Sequence, residues 1–67
     1  MTLIINGDSK EFDATELKLE ALLTEIGMAG KPVVVELNRE ALLPTDHSTT
    51  QLTDGDSVEI VMIAAGG

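Results

Sequence analysis

The sequence predicts an α+β domain in which one mixed sheet of four to five strands is covered on one face by a single helix. Three observations support this prediction. Asn6-Gly7 follows a β-branched opening segment and is the strongest short hairpin signal, because both residues tolerate positive φ in a type I′ turn. A helical apolar stripe follows the hairpin. Residues 57–64 then form the most apolar strand, and this order favours a sheet with one crossing helix.

The first 30 residues predict a hairpin and then the helix. Residues 2–6 and 9–13 are expected to be the two hairpin strands, with Phe12 facing the core. The helix is indicated by apolar residues spaced at i, i+3, i+4 and i+7, a spacing that places them on one side of a helix. They are Leu19, Leu22, Leu23 and Ile26.

The two ends of the helix are predicted less sharply than its middle. Asp13 with Glu16 resembles a capping box, whereas the alternation of Leu17 with Leu19 favours a later start, so the expected start lies between residues 16 and 19. Either Gly27 or Gly30 is expected to end the helix in a left-handed conformation.

The second half of the chain predicts further strands separated by turns. Residues 33–38 begin with three valines, which predicts a strand buried on much of both faces. Residues 38–40 are expected to form a turn and residues 41–43 a short edge strand. Residues 44–50 are polar and turn-rich, with room for one short helical turn, and Leu52 is expected to anchor this loop to the core.

Composition excludes several classes of function. The 67 residues contain no Cys and one aromatic residue, so disulfides, thiol nucleophiles and base-stacking surfaces are excluded. The net charge of −8 argues against nucleic acid and anionic membrane surfaces as partners. It is compatible with solubility alone or with attraction to a basic protein surface, in which case salt should weaken association. Because the chain starts with neither a basic region nor a long apolar run, a cytoplasmic location is expected.

The polar side chains do not predict a catalytic or metal site. Asp46, His47 and Ser48 are the residue types of a hydrolytic triad, but neighbours in one polar loop seldom converge on each other. Asp54 and Asp56 flank a glycine in a predicted turn, and turn formation accounts for both. We therefore expect no catalytic residue and no metal ligand in this chain.

The segment after the last strand is the remaining candidate. Gly66-Gly67 lacks side chains, so it can enter a narrow channel and present its carboxylate to a nucleotide phosphate and then to a nucleophile. A frayed end is the alternative. On the last strand, Val61 and Ile63 share a face with Glu59, and this face is either a docking patch for a partner or flanked by neighbouring strands.

Taken together, these residues resemble the ThiS family, the ubiquitin-like β-grasp sulfur carriers of thiamin biosynthesis. The resemblance covers the whole chain, as a single domain with a flexible tail at about residues 64–67. The motifs that carry it are Asn6-Gly7, the helix core Leu22-Leu23-x-x-Ile26, the segment Val35-Glu36-Leu37-Asn38, and Asp54-Gly55-Asp56 with the apolar strand that leads to Gly66-Gly67.

The resemblance implies a mechanism and partners. A ubiquitin-activating-like (ThiF-like) adenylyltransferase would use ATP and Mg to adenylate the carboxylate of Gly67, and sulfur transfer would give a thiocarboxylate. Ala65 and Gly66 would enter the partner's active site, and a thiazole synthase (ThiG-like) would take the sulfur. The chain itself would be a protein substrate rather than an enzyme and would bind no cofactor.

Two positions depart from the family pattern, and other pathways stay open. His47 lies where many members have a bulky aromatic residue, and Ser57 where a basic or polar residue is frequent. The alternatives are a carrier like the small subunit of molybdopterin synthase, which is generally longer, a carrier for cysteine or tRNA thiolation, or a β-grasp binding module that is never modified.

Overall fold

The computed structural model describes residues 1–63 of the chain. Within that part there are seven strands, one α-helix and one 3₁₀ turn. In chain order they are β1 (Thr2–Ile5), β2 (Asp8–Glu11), β3 (Leu17–Lys18), α1 (Leu19–Glu25), β4 (Val33–Leu37), β5 (Glu40–Leu42), the 3₁₀ turn (Pro44–Asp46), β6 (Gln51–Leu52) and β7 (Ser57–Met62).

Five strands form the main sheet, in the order β2-β1-β7-β4-β5. β1 and β7 are parallel neighbours at its centre, and the other pairs are antiparallel. The α+β prediction of a mixed sheet with one helix is confirmed. The sequence did not predict β3 and β6, which form a small antiparallel ladder of their own.

Both hairpins close through two-residue turns with left-handed backbone. Asn6 and Gly7 have φ of 49° and 86°, as the sequence predicted for a type I′ turn. Asn38 and Arg39, with φ of 50° and 72°, connect β4 to β5 in the same way. The second strand was predicted to reach residue 13 but ends at Glu11. Met1 and Phe12 still exchange hydrogen bonds in the register of the hairpin, at 2.7 and 2.8 Å, and the chain then turns where the N–H of Ala14 donates to the carbonyl of Phe12 at 2.9 Å.

The helix begins at Leu19, at the late end of the predicted interval, and no side chain caps it. The predicted capping box at Asp13 does not form, because Leu17 and Lys18 are extended and pair with β6. Carbonyls of the loop before β6 satisfy the first N–H groups of the helix: Leu19 donates to Thr50 at 2.9 Å and Glu20 to His47 at 3.0 Å. Backbone of a distant loop therefore does what a capping side chain was expected to do.

A single core lies between the helix and the inner face of the sheet. Phe12, Leu52 and the helical leucines are buried there, as predicted, and Val58 and Ile60 contribute the inner face of β7. The expectation that the three valines of β4 are buried on both faces is wrong. Val35 is fully buried but Val34 is 41% exposed, because no second layer within residues 1–63 covers the outer face of the sheet. Among residues 1–63, no helix has the length and apolar character needed to cross a membrane.

Candidate functional site: the end of β7 and the outer face of the sheet

The candidate site begins where β7 leaves the sheet. β4 pairs with β7 along its own full length, from Leu37 opposite Val58 to Val33 opposite Met62. Past the end of the strand, the backbone N–H of Ile63 still donates to the carbonyl of Pro32 at 2.8 Å. The segment that precedes the last four residues is therefore held against β4 up to Ile63.

On its other side, β7 is longer than its neighbour β1, and one side chain continues the pairing. Asn6 directly follows β1, and its backbone N–H donates to the carbonyl of Val58 at 2.9 Å. Main-chain pairing of β1 with β7 ends with this bond. The Asn6 side chain then bonds both backbone groups of Ile60: its Oδ1 accepts from the N–H at 2.6 Å, and its Nδ2 donates to the carbonyl at 3.1 Å. One amide side chain thus replaces one residue of a neighbouring strand.

The start of β7 is fixed by the turn at residues 54–56. Asp54 accepts a hydrogen bond from the backbone N–H of Thr2 at 2.6 Å, and Asp56 accepts from the N–H of Thr53 at 2.8 Å and from Nδ2 of Asn38 at 3.0 Å. Burial raises the pKa of Asp56, but the hydrogen bonds from Asn38 and Thr53 together hold the pKa of this carboxyl below its usual value. Asp56 closes the turn through Thr53, as the sequence predicted. Asp54 instead ties the turn to the first residue of β1, a contact that the sequence did not predict.

The predicted docking residues lie together on the outer face of the sheet. Val61 is 60% exposed and Ile63 51% exposed, and Glu59 is exposed on the same face. Sequence reasoning missed that β4 extends this face: Val34 lies opposite Val61, and Glu36 lies opposite Glu59. The alternation of Val33, Val34 and Val35 was the available signal, because a strand with one open face exposes every second residue.

The outer face is therefore a continuous surface of two strands. We use the name outer-face patch for Val34, Glu36, Glu59, Val61 and Ile63. The first four of these line one shallow hollow together with Arg39. Exposed apolar side chains concentrated on one face, rather than scattered singly, indicate a contact surface.

In the loop before β6, no side-chain hydrogen bond joins Asp46, His47 and Ser48 within the described structure. Asp46 accepts a hydrogen bond from the backbone N–H of Leu43 at 3.1 Å, and Ser48 is exposed. Nε2 of His47 is buried and has no hydrogen-bond partner in the described structure. Residues 1–63 contain no group of three or more His, Cys, Asp or Glu side chains placed to hold a metal ion.

Ala65, Gly66 and Gly67, the predicted tail residues, lie outside the described residues. Their predicted roles stay predictions, as does the division of the chain into one domain and a flexible tail. The structure bears on the strand that leads to them and on the surface beside it.

Comparison with known proteins decides the family. The sequence profile of the ThiS family matches residues 3–67. The chain belongs to the ThiS family. It is thus a sulfur carrier protein of thiamin biosynthesis, as the resemblance implied.

Two named relatives are similar to the chain over most or all of its length. The chain is 38% identical over 63 residues to the sulfur carrier protein ThiS of Thermus thermophilus, and the match covers 94% of this chain and 95% of that protein. It is also 39% identical over all 67 residues to a thiazole synthase of Paramagnetospirillum magneticum. The chain spans only 20% of the length of that second relative.

Solved structures show the same fold. The crystal structure of the thiamine biosynthesis protein ThiS from Geobacter metallireducens is 36% identical to this chain, with a TM-score of 0.88 and full coverage of both chains. The solution structure of the Geobacter protein gives a TM-score of 0.82, covering all of this chain and 88% of the other. The predicted ubiquitin-like β-grasp fold is confirmed.

Proposed function

We propose that this ThiS-family chain carries sulfur as a thiocarboxylate on Gly67 and delivers it for thiazole formation. The observation that supports this most is the family match over residues 3–67, which includes the Gly66-Gly67 segment. The second support is the position of that segment directly after a strand that is hydrogen-bonded up to Ile63.

The chemistry requires little of the carrier. A carboxylate oxygen of Gly67 attacks the α-phosphorus of ATP, a new P–O bond forms, and pyrophosphate leaves with Mg. The resulting acyl adenylate is attacked at its carbonyl carbon by a sulfur donor at the oxidation level of hydrosulfide. The C–O bond to AMP breaks, AMP and a proton leave, and the thiocarboxylate remains. All catalytic groups belong to the partner, a ubiquitin-activating-like adenylyltransferase, which also binds the ATP and Mg.

The absence of side chains at Gly66 and Gly67 fits this chemistry. A nucleotide phosphate and then a sulfur atom must both reach the carbonyl carbon of Gly67, and a Cβ on the preceding residue would narrow the approach. Ala65 has the smallest side chain after glycine and continues the narrow segment. We assign to Ala65 and Gly66 the role of entering the partner's active site.

The sulfur acceptor we propose is a thiazole synthase. In Paramagnetospirillum magneticum, a protein named thiazole synthase contains a region 39% identical to this chain. A carrier-like region and a synthase in one polypeptide support a working contact between the two. Because this chain matches only 20% of that protein, the acceptor is a proposal and not a transferred activity.

The outer-face patch is the surface we propose for docking to the adenylyltransferase. It lies beside the exit of β7, so a partner that covers Val61 and Ile63 is placed to receive the residues that follow. Covering exposed apolar side chains stabilises a complex by roughly 25 cal/mol per Å² of apolar surface removed from water. We place this encounter in the cytoplasm, as the sequence predicted.

Gly66→Val tests the role of the tail without touching the fold. We expect pyrophosphate release by the adenylyltransferase to slow at least about tenfold, since a branched side chain obstructs the approach to Gly67 by an estimated 1.4 kcal/mol or more. Thermal stability should stay at the wild-type value, because the buried core among residues 1–63 lies between Leu3 and Ile60.

The control for this test is Ala29→Val, which introduces a valine at an exposed loop position. It should be adenylated like the wild type. A collapse of thermal stability in Gly66→Val would mean that the tail contributes to the fold. Normal adenylation of that variant would contradict the claim that Gly66 must lack a side chain for Gly67 to be reached.

A further inference from the structure

Two carboxylates lie directly opposite each other in the outer-face patch. The register of β4 and β7 pairs Glu36 with Glu59, and both side chains are exposed on the side of the sheet away from the helix. Residues that face each other across antiparallel strands have Cβ atoms about 4.5–5.5 Å apart, and like charges in such a pair are destabilising. The pair therefore costs the free chain stability.

Apolar side chains flank this pair. The next outward-facing register pair is Val34 with Val61, which are 41% and 60% exposed, and Ile63 follows at 51%. Within the folded chain these side chains gain little from burial. The patch thus combines a repulsive pair of carboxylates with exposed apolar side chains, and neither stabilises the free chain. A partner surface that carries apolar groups and a cation would make favourable contacts with both.

Charge selects the kind of partner. A symmetric contact between two copies of this chain would use the same patch twice and bring four glutamates together on chains that each carry −8. Nucleic acid and anionic lipid would meet the same repulsion. A protein surface that is apolar and carries a positive side chain suffers no such repulsion.

The geometry of the pair selects the kind of cation. Two carboxylates on adjacent strands present several acceptor oxygens over a short distance. A guanidinium has five N–H donors in a planar fork and can bond two carboxylates at once, whereas an ammonium acts as a point charge. Arg39 of the chain itself lines the same hollow, but no ion pair joins it to Glu36 or Glu59 in the described structure.

We propose that the partner covering the outer-face patch places an arginine side chain between Glu36 and Glu59 and packs apolar residues on Val34 and Val61. This rests on the proposed function, in that the partner is the adenylating enzyme. The two glutamates act as a specificity device: their repulsion disfavours self-association of the free carrier and is relieved only when the enzyme's cation is present.

The test uses Glu36→Gln, Glu59→Gln and the double variant, each as the full chain. Glu16→Gln is the matched control, because it removes the same charge from an exposed position outside the patch. For each protein, the melting temperature of the free chain and the Kd for the adenylating enzyme are measured, the latter at low and at physiological salt.

We expect each patch variant to melt at or above the wild-type temperature and to bind the enzyme about tenfold or more weakly, the range for a lost charge-assisted hydrogen bond. The fold-increase in Kd of the double variant should be smaller than the product of the fold-increases of the two single variants, because both glutamates contact one cation. It should also lose most of the salt dependence of binding. The control should change Kd by less than about threefold, the median effect of an exposed charge.

Three outcomes would overturn the proposal. Patch variants that bind no more weakly than the control would show that no partner cation contacts the pair. A lower melting temperature in either single variant would show that Arg39 already neutralises the pair in the free chain. Self-association of the wild type through the patch would contradict the argument from charge. The proposed function fails separately, when saturating enzyme and ATP leave wild-type Gly67 unmodified.

Discussion

Two asparagines position β7 from its two sides. Asn6 and Asn38 both adopt left-handed backbone in two-residue hairpin turns, and each uses its side chain to bond the backbone of β7. Asn6 bonds both backbone groups of Ile60, and Oδ1 of Asn38 accepts from the N–H of Ser57 at 2.9 Å. Asparagine suits both tasks, because it tolerates positive φ and carries a donor and an acceptor.

Replacing Asn6 should therefore weaken the fold through two separable terms. We predict that Asn6→Ala lowers the free energy of unfolding by about 2–3 kcal/mol, from about 1 kcal/mol of backbone strain and about 1 kcal/mol for each lost hydrogen bond. Asn6→Gly keeps the positive φ and should lose only the hydrogen-bond part. Urea denaturation of the wild type and the two variants separates the contribution of backbone strain from that of the hydrogen bonds. A glycine variant as stable as the wild type would show that the hydrogen bonds of the Asn6 side chain contribute nothing.

Sequence reasoning found these turns but not the second role of their side chains. Asn6-Gly7 is a local signal and predicted the hairpin correctly. The bonds from Asn6 reach Ile60, 54 residues later in the chain, and no local pattern encodes that partner. The same limit applies to Glu36 and Glu59, whose opposition depends on the register of two strands distant in sequence.

At the scale of elements, the helix shows where local signals are replaced by long-range backbone contacts. Its apolar stripe was predicted correctly from spacing. Its start was not fixed by a capping side chain, because Leu17 and Lys18 pair with β6 and loop carbonyls accept from the first helical N–H groups. A two-residue strand such as β3 is too short to produce a periodic pattern, so sequence alone could not predict it.

The end of the helix, in contrast, is fixed locally. Gly27 has φ of 81°, and its N–H donates to the carbonyl of Thr24 at 3.2 Å, while Met28 donates to Leu23 at 2.7 Å. These two bonds form a Schellman motif, which satisfies carbonyls in the last turn of the helix. Of the two glycines that the sequence offered as the end, Gly27 is the one used.

We predict that Gly27→Ala lowers the free energy of unfolding by about 1–2 kcal/mol. A Cβ at this position meets no atom within 4 Å, so the cost is backbone strain at positive φ and not a clash. Gly27→Asn is the matched control and should lose less, since asparagine is the next residue accepted at this position. Chemical denaturation measures the free energy of unfolding of each protein. An alanine variant as stable as the wild type would mean that the turn can relax away from positive φ.

At the scale of the whole molecule, one layer of helix on one layer of sheet leaves the outer face of the sheet uncovered in the described structure. The sequence showed the apolar residues of β4 and β7 but not which of them would be exposed, because burial depends on what the fold places on each face. The uncovered face includes the outer side of β7, the strand that precedes the Gly66-Gly67 segment. The exposed surface and the family membership are the grounds for our proposal that the carrier docks through the outer face of the sheet and reacts at Gly67.

The thiocarboxylate on Gly67 is the central claim, and intact-mass spectrometry tests it most directly. The chain is incubated with the ubiquitin-activating-like adenylyltransferase of its own organism, ATP, Mg and a hydrosulfide-level sulfur donor. We expect a mass increase equal to the replacement of one oxygen by one sulfur, and no such increase in a variant that lacks Gly67. An unchanged mass with an enzyme that is demonstrably active on another carrier would contradict the account.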